Sequence, residues 1–384
     1  MEIKQAYELV NEAVNQALGK TGILKEDLTN IIDVGNEIFN GNYVDQYSKA
    51  LLNQIGRIIY VNRLYQGRVP NVVKDGAVWG SVVEKVNFDL PDAQMNESWE
   101  LMDGASYDPN IFRRPKVSVK FYNKMVTFSV PVSITDIQLR QSFSGPEQLV
   151  GFVAGIYTAV ENFLASANEQ LVLASIDAMI AATVEGDISG SAAGQTGVKA
   201  INLLYLYNKE NSATLTAEAA ISNPDFLRFA AYTILMTSSR MKSLSTLFNV
   251  NGKARHTPRE YQRVVLLDAF AEGANVYLQS DTFHEELTRL PEADVVSYWQ
   301  GSGDEWSFSD ISKIYIKSPY SGADFSLSGI VGVIFDRDAL GVFNYNKRVT
   351  SNYNPVAEFT NNYYKVDARY YTDTNENFVV FYMA

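Results

Sequence analysis

The amino-acid sequence predicts an α+β fold in which helices come first, followed by paired strands, one very long helix and a mixed half that ends in strands. Three observations support this prediction. Apolar residues recur at helical spacing over residues 1–59, and they alternate with a period of two over residues 82–90 and 116–122. Helical spacing then continues without a break from Pro146 to about Val184.

The composition is that of a folded protein without thiol chemistry. The 384 residues are 46% hydrophobic and include 23 Tyr and 20 Phe, enough for a sizeable core and about two domains. A net charge of −12 argues against binding nucleic acid by neutralising phosphates. The absence of cysteine excludes disulfides, Cys-ligated zinc and thiol nucleophiles.

Neither a signal peptide nor a membrane span is expected. The start, Met1 to Gln5, lacks the basic and then apolar pattern of a secretory signal. The most apolar stretch, residues 149–160, is interrupted by Glu161 and falls short of the roughly 20 residues that cross a bilayer. We therefore expect a protein made in a cytoplasm, without a membrane partner.

Residues 1–66 predict a helical arm. The first helix, over residues 1–20, carries Ile3, Val10, Val14 and Leu18 on one face, and further helices are expected over 28–39 and 42–59. No strand pattern accompanies these helices, so we expect an arm and not a compact domain.

Residues 67–143 predict a long two-stranded hairpin with a large acidic tip at 91–114. Each strand has one apolar face, and the return strand is basic. Since an isolated two-stranded ribbon is marginally stable, we expect it to pack either on its own domain or on a neighbouring subunit. The residues expected at an intersubunit contact are Phe88, Arg113, Arg114, Lys116, Lys120, Phe121 and Lys124.

Pro146 opens the long helix, which would measure about 58 Å if continuous to Val184. A Gly- and Ser-rich loop follows at 185–198. In the second half, helices are expected after Asn223, running to about Leu247, and through residues 284–287. The strands expected in this half are 263–267, 294–299, 311–317, 329–335, 344–350, 359–371 and 378–382, with a turn at 372–377.

Motifs that would carry chemistry fail on spacing. Gly19-Lys20-Thr21 resembles the end of a P-loop, but Val14 stands where the first glycine belongs. His256 and His284 do not form a His-Glu-x-x-His zinc pattern. Residues 373–377 alternate like a calcium loop but lack its glycine, which favours a hairpin turn. We therefore expect no catalytic, cofactor-binding or metal site, and we interpret the Lys116/Lys120/Lys124 face as solvated or as facing an acidic partner.

The order of these parts resembles the major capsid proteins of tailed bacteriophages, which share the Hong Kong 97-type fold. Residues 256–260, 329–341 and 352–382 are similar to stretches found in short-tailed phage capsid proteins. The resemblance implies an N-terminal arm, an E-loop hairpin, a spine helix in a P-domain, an A-domain, and C-terminal strands that return to the P-domain. The corresponding ranges are 1–66, 67–143, 144–200, mainly 201–343, and 344–384.

The resemblance also implies a structural protein that self-assembles into an icosahedral shell of pentamers and hexamers around double-stranded DNA. The implied partners are portal, scaffolding and decoration proteins, with weak contact to DNA at most, and the implied site of assembly is the bacterial host cytoplasm. Because only residues 1–66 precede the hairpin, we expect a separate scaffolding protein or none. Two alternatives remain open at this point: an encapsulin-type compartment shell of the same fold, and an acidic soluble enzyme.

Overall fold

The computed structural model describes residues 3–19, 24–41, 43–44, 46–51, 69, 72–74, 83–88, 101–106, 117–122, 124–188, 192–279, 293–300 and 307–384. The helices, in chain order, are α1 (Ile3–Leu18), α2 (Ile31–Asn40), α3 (Asp136–Ser142), α4 (Pro146–Asp187), α5 (Leu203–Asn211), α6 (Ala217–Ala220), α7 (Pro224–Arg240), α8 (Asp268–Gln279) and α9 (Phe308–Ile311). The strands are β1 (Val73–Lys74), β2 (Val83–Phe88), β3 (Val117–Tyr122), β4 (Met125–Thr135), β5 (Ala200–Asn202), β6 (Gln262–Leu267), β7 (Asp294–Val296), β8 (Ile314–Lys317), β9 (Asp324–Leu327), β10 (Ile330–Asp336), β11 (Leu340–Asn354), β12 (Phe359–Thr372) and β13 (Phe378–Tyr382).

These elements confirm the predicted α+β class, and local signals explain several of their ends. The Asn223 side chain accepts hydrogen bonds from the backbone N–H groups of Asp225 and Phe226, and Pro224 occupies the first turn of α7. This helix ends at Arg240, earlier than the predicted Leu247. The helix predicted through residues 284–287 lies outside the described residues. Most of the helix predicted over 42–59 also lies outside them, and residues 46–51 of that range are helical.

The first of two units comprises residues 1–80, 124–172 and 342–370. Its sheet has the strand order β1-β11-β12-β4, and its core includes the apolar face of α1. The buried face of α1 follows the i, i+3, i+4, i+7 spacing of Val10, Ala13, Val14 and Ala17. From Tyr7 to Leu18, α1 is therefore packed into this core, unlike the separate arm that the sequence suggested.

The sequence predicted a hairpin over residues 67–143, but the last part of this range forms β4 and α3, which are not part of the hairpin. β4 pairs antiparallel with β12, from Met125 opposite Arg369 to Thr135 opposite Phe359, and belongs to the sheet of the first unit. The alternating pattern continues through this segment, so periodicity did not reveal the change of sheet. α3 follows directly and begins with a capping box between Thr135 and Gln138, a signal that the sequence analysis did not use.

The second unit comprises residues 81–123, 173–341 and 371–384. Its main sheet has the strand order β5-β13-β10-β6-β7. Every residue of β10 and β13 is buried, as expected for central strands that are covered on both faces. The unit also contains two smaller two-stranded sheets, β8-β9 and the hairpin β2-β3.

α4 is the predicted long helix and has 42 residues. By length and composition alone, Gln148–Asp187 is the one helix among the described residues that would suffice to cross a membrane, although Glu161 had argued against such a span. Core helices of soluble proteins have the same length and composition. The C-terminal part of α4 has this character, since Ile176, Met179 and Ile180 are fully buried.

Candidate assembly interface

The hairpin β2-β3 has two faces that the pairing register defines. Residues directly opposite each other on antiparallel strands project from the same face of the ribbon. One face, which we call the apolar face, carries the pairs Val86–Val119 and Phe88–Val117, with Phe121 opposite Glu84. The other, which we call the polar face, carries the pairs Lys85–Lys120, Asn87–Ser118 and Val83–Tyr122.

The apolar face is open to solvent. Relative exposure is 46% for Val86, 49% for Val117, 43% for Val119 and 64% for Phe121. Phe88 shares this face by register, although its side chain lies outside the described residues. A contiguous exposed apolar patch of this kind is typical of a protein interaction site.

The polar face is held by the turn that follows β12. The Lys85 ammonium lies 2.9 Å from Asp373 Oδ2 and 2.8 Å from Glu376 Oε1, and it donates a hydrogen bond to the Asp338 carbonyl at 3.0 Å. Lys120 Nζ lies 3.2 Å from Asp373 Oδ1. Lys85 and Lys120 thus face their own subunit, whereas Val86, Val117, Val119 and Phe121 are exposed on the opposite face.

This turn is itself fixed by a network of hydrogen bonds. The Asp373 backbone N–H donates to the Ala339 carbonyl at 2.7 Å, and Asp373 Oδ1 accepts from the Asn375 N–H at 3.1 Å. The Asn251 amide donates to Asn375 Oδ1 at 2.7 Å, and Arg255 Nε lies 3.5 Å from Glu376 Oε2. The predicted turn is confirmed, but β12 and β13 belong to different sheets, so it is not a hairpin.

The charges of this cluster stabilise one another. Burial by itself raises the pKa of Asp373, but the positive charge of Lys85 and the hydrogen bonds to the carboxylate outweigh it, so the pKa lies below the usual range. Burial by itself lowers the pKa of Lys85, and the charges of Asp373 and Glu376 raise it above its usual value. Asp373 and Lys85 are therefore both ionised at neutral pH.

The residues predicted at an intersubunit contact fall into four groups. Phe121 is exposed on the apolar face, to which Phe88 belongs by register, whereas Lys120 is paired with Asp373 in its own subunit. Lys124 belongs to the first unit, where its ammonium lies 5.8 Å from the centroid of the Tyr370 ring and is exposed. The rest of the basic strip, Arg113, Arg114 and Lys116, lies outside the described residues.

Sequence reasoning missed Lys85, Asp373 and Glu376. One signal was present in the predicted hairpin: Lys85 and Lys120 stand directly opposite each other, and like charges in that position are unfavourable without a counterion. An acidic partner for the pair was therefore to be expected. The segment that supplies it lies about 250 residues further along the chain, where periodicity cannot point to it.

The described residues contain no cluster suited to a metal ion. There, no group of three or more His, Cys, Asp or Glu side chains is arranged to hold a metal ion. His256 is exposed, and His284 lies outside the described ranges. A groove of about 630 Å³ in the second unit is lined by Glu185, Asp310, Lys313 and Asp324, among others, and no histidine lines it.

Comparisons with known proteins agree with this architecture. The model of the Phi29-like phage major capsid protein family matches residues 10–382. No curated protein sequence matches the chain at a significant level. One similar solved structure, of the head fiber and inner core protein gp22 of native bacteriophage P68, is 11% identical, covers 83% of this chain and 85% of that chain, and has a TM-score of 0.53.

Two further similar structures are phage capsids. The capsid structure of Staphylococcus phage Andhra is 11% identical over 84% of this chain and 86% of that chain, with a TM-score of 0.48. The capsid structure of the cyanophage P-SCSP1u is 12% identical, covers 82% of this chain and 86% of that chain, and has a TM-score of 0.43. The family model spans nearly the whole chain, and the chain therefore belongs to the Phi29-like phage major capsid proteins and is a structural subunit of a phage capsid shell.

Proposed function

We propose that copies of this chain self-assemble, as pentamers and hexamers, into the icosahedral shell that encloses a phage double-stranded DNA genome, and that the apolar face of the hairpin packs on a neighbouring copy. Membership of a major capsid protein family supports assembly into a shell. The orientation of the hairpin supports the second part of the proposal, because the two sides of the ribbon are used differently.

The observation that carries the proposal is the exposure of Phe121, Val86, Val117 and Val119 on a ribbon whose lysines are paired within the subunit. A ribbon packed only on its own domain would bury its apolar side. Burying one large apolar side chain contributes roughly 1.5–3 kcal/mol. Repeated by symmetry around a shell, contacts of this size sum to a stable particle although each is modest.

Charge supports the proposed partners. An overall charge of −12 disfavours tight binding to the packaged DNA, so contact with it is weak at most. Portal, scaffolding and decoration proteins are the proposed protein partners, assembly takes place in the host cytoplasm, and no membrane takes part. The acidic tip of one hairpin would contact the basic strip of the neighbouring subunit through Lys124, Arg113, Arg114 and Lys116. Lys120 is left out because it is paired with Asp373 of its own subunit.

The family match favours a phage shell over an encapsulin-type compartment. It also implies a structural role and not an enzymatic one.

The test is the substitution Phe121→Ser, which removes the most exposed aromatic side chain of the apolar face. We expect a large loss of closed shells in sedimentation, with little change in the melting of the free subunit, because Phe121 makes few contacts within its own chain. Ser118→Ala, an exposed position on the polar face of the same strand, is the matched control and should assemble like the wild type. Normal shell yield from Phe121→Ser would contradict the proposal.

A further inference from the structure

We infer that Asp373 is a positioning residue for assembly: together with Glu376 it holds Lys85 and Lys120, and so fixes the hairpin on its own subunit in the orientation that presents the apolar face to the next copy. This inference rests on the proposed function of the apolar face. It adds a residue that contacts no neighbour and yet decides whether the contact forms.

The hairpin is not part of a larger sheet. Among the described residues, β2 and β3 pair only with each other, so no backbone ladder joins them to either larger sheet. Because a two-stranded ribbon is at best marginally stable alone in water, its side-chain contacts with the rest of the second unit set its orientation.

Lys85 has more partners than a surface lysine needs. Its Nζ lies 2.8–3.0 Å from three oxygens, those of Glu376, Asp373 and the Asp338 carbonyl. Three partners from different residues restrain the ammonium, and with it the strand that carries it. A lysine with one surface partner would not be restrained in this way.

The Asp373 side chain is 0% exposed, and it offers one carboxylate oxygen to each strand, Oδ2 to Lys85 and Oδ1 to Lys120. A single carboxylate is thus shared by two lysines that stand opposite each other in the ribbon, and Glu376 supplies the second negative charge. Without it, two like charges remain on adjacent strands, partly removed from water and without their shared counterion.

Asp373 and Glu376 can orient the hairpin only if the turn that carries them is itself held in place. The Asp373 N–H is bonded to the Ala339 carbonyl next to β11, and Asn251 donates to both Thr374 Oγ1 and Asn375 Oδ1. Glu376 is also paired with Arg255. The ribbon is therefore attached to a turn that the second unit holds in place.

The test uses Asp373→Asn in the full chain. Asparagine keeps the size of the side chain and an oxygen that accepts from the Asn375 N–H, but it removes the charge. We expect hydrogen exchange of the amides at 83–88 and 117–122 to accelerate at least about tenfold in the free subunit, while the central strands stay protected. We also expect the yield of closed shells to fall. Asp225→Asn removes the exposed ion pair with Arg228 and should change neither quantity.

A second set of variants keeps the test decisive if Asp373→Asn folds poorly. Lys120→Met removes the more exposed lysine of the pair and should accelerate hairpin exchange and lower shell yield in the same direction. The double variant Lys85→Met/Asp373→Asn should be less impaired than the sum of its single variants, because it removes both charges of the Lys85–Asp373 pair instead of leaving one without the other.

The possible outcomes separate this inference from the proposed function. Unchanged hydrogen exchange of the hairpin in Asp373→Asn would overturn the inference. A second outcome would also overturn it: Asp373→Asn shows faster exchange but wild-type shell yield, while Phe121→Ser fails to assemble. If Phe121→Ser also assembles normally, the proposed function of the apolar face fails as well. Faster exchange with reduced shell yield in both Asp373→Asn and Lys120→Met supports the inference.

Discussion

Two buried aspartates, Asp373 and Asp177, show how strongly the setting of a residue decides its role. Asp373 lies against two lysines, and its pKa is lowered despite burial. Asp177 lies in α4 within the second unit, 1% exposed, where burial raises its pKa well above the usual value. The first residue is stabilised as an anion, and the second as a neutral acid.

The effect of Asp177 on stability depends on pH. Because its folded-state pKa is raised above 3.8, its contribution is fully present below that value and is lost as pH rises through the folded pKa. Asp177→Asn does not titrate, so we expect its stability advantage over the wild type to grow as pH rises from about 4. Urea unfolding of the free subunits at several pH values measures this difference.

Asp103, which is exposed, supplies the matched control for Asp177. The difference between Asp103→Asn and the wild type should stay nearly constant over the same pH range. A constant difference for Asp177→Asn as well would show that the buried carboxyl does not limit stability at neutral pH.

At the scale of elements, periodicity predicted those whose pattern is long and one-sided. The helical spacing of α1 and α4, the alternation of β2 and β3 and the apolar run of β10 all identified their elements. Short elements such as β9 and α3 were missed, because four to seven residues carry too little pattern. The apolar face of the hairpin was also predicted, whereas its anchor was not, since ion pairs between distant segments leave no periodic trace.

The packing of α1 leads to a prediction for the free subunit. Leu9 is 2% exposed in the core of the first unit, so we expect Leu9→Ala to lower the free energy of unfolding by roughly 2–5 kcal/mol. Gln16→Ala changes the exposed face of the same helix and should shift it by about 0.5 kcal/mol or less. Equal stability of the two variants before assembly would mean that α1 packs only in the shell, as an arm would.

At the scale of the whole molecule, the subunit combines a fixed interior with an outward-facing interaction surface. The central strands β10 and β13 are wholly buried, and the hairpin is fastened to the same unit by charges on one face while it exposes apolar side chains on the other. In the proposed shell, Lys85 and Lys120 stay paired within the subunit and the apolar face is left for contact with a neighbouring copy. Many such contacts, each modest, would then sum to a stable particle.

Cryo-electron microscopy of the particles formed by the expressed chain, with a scaffolding protein supplied where particles require one, tests this account most directly. We predict closed shells in which a neighbouring copy covers Val86, Val117, Val119 and Phe121, while Lys85 remains on Asp373 of its own subunit. Protein that stays monomeric under these conditions, or shells in which that apolar face remains in solvent, would contradict the account.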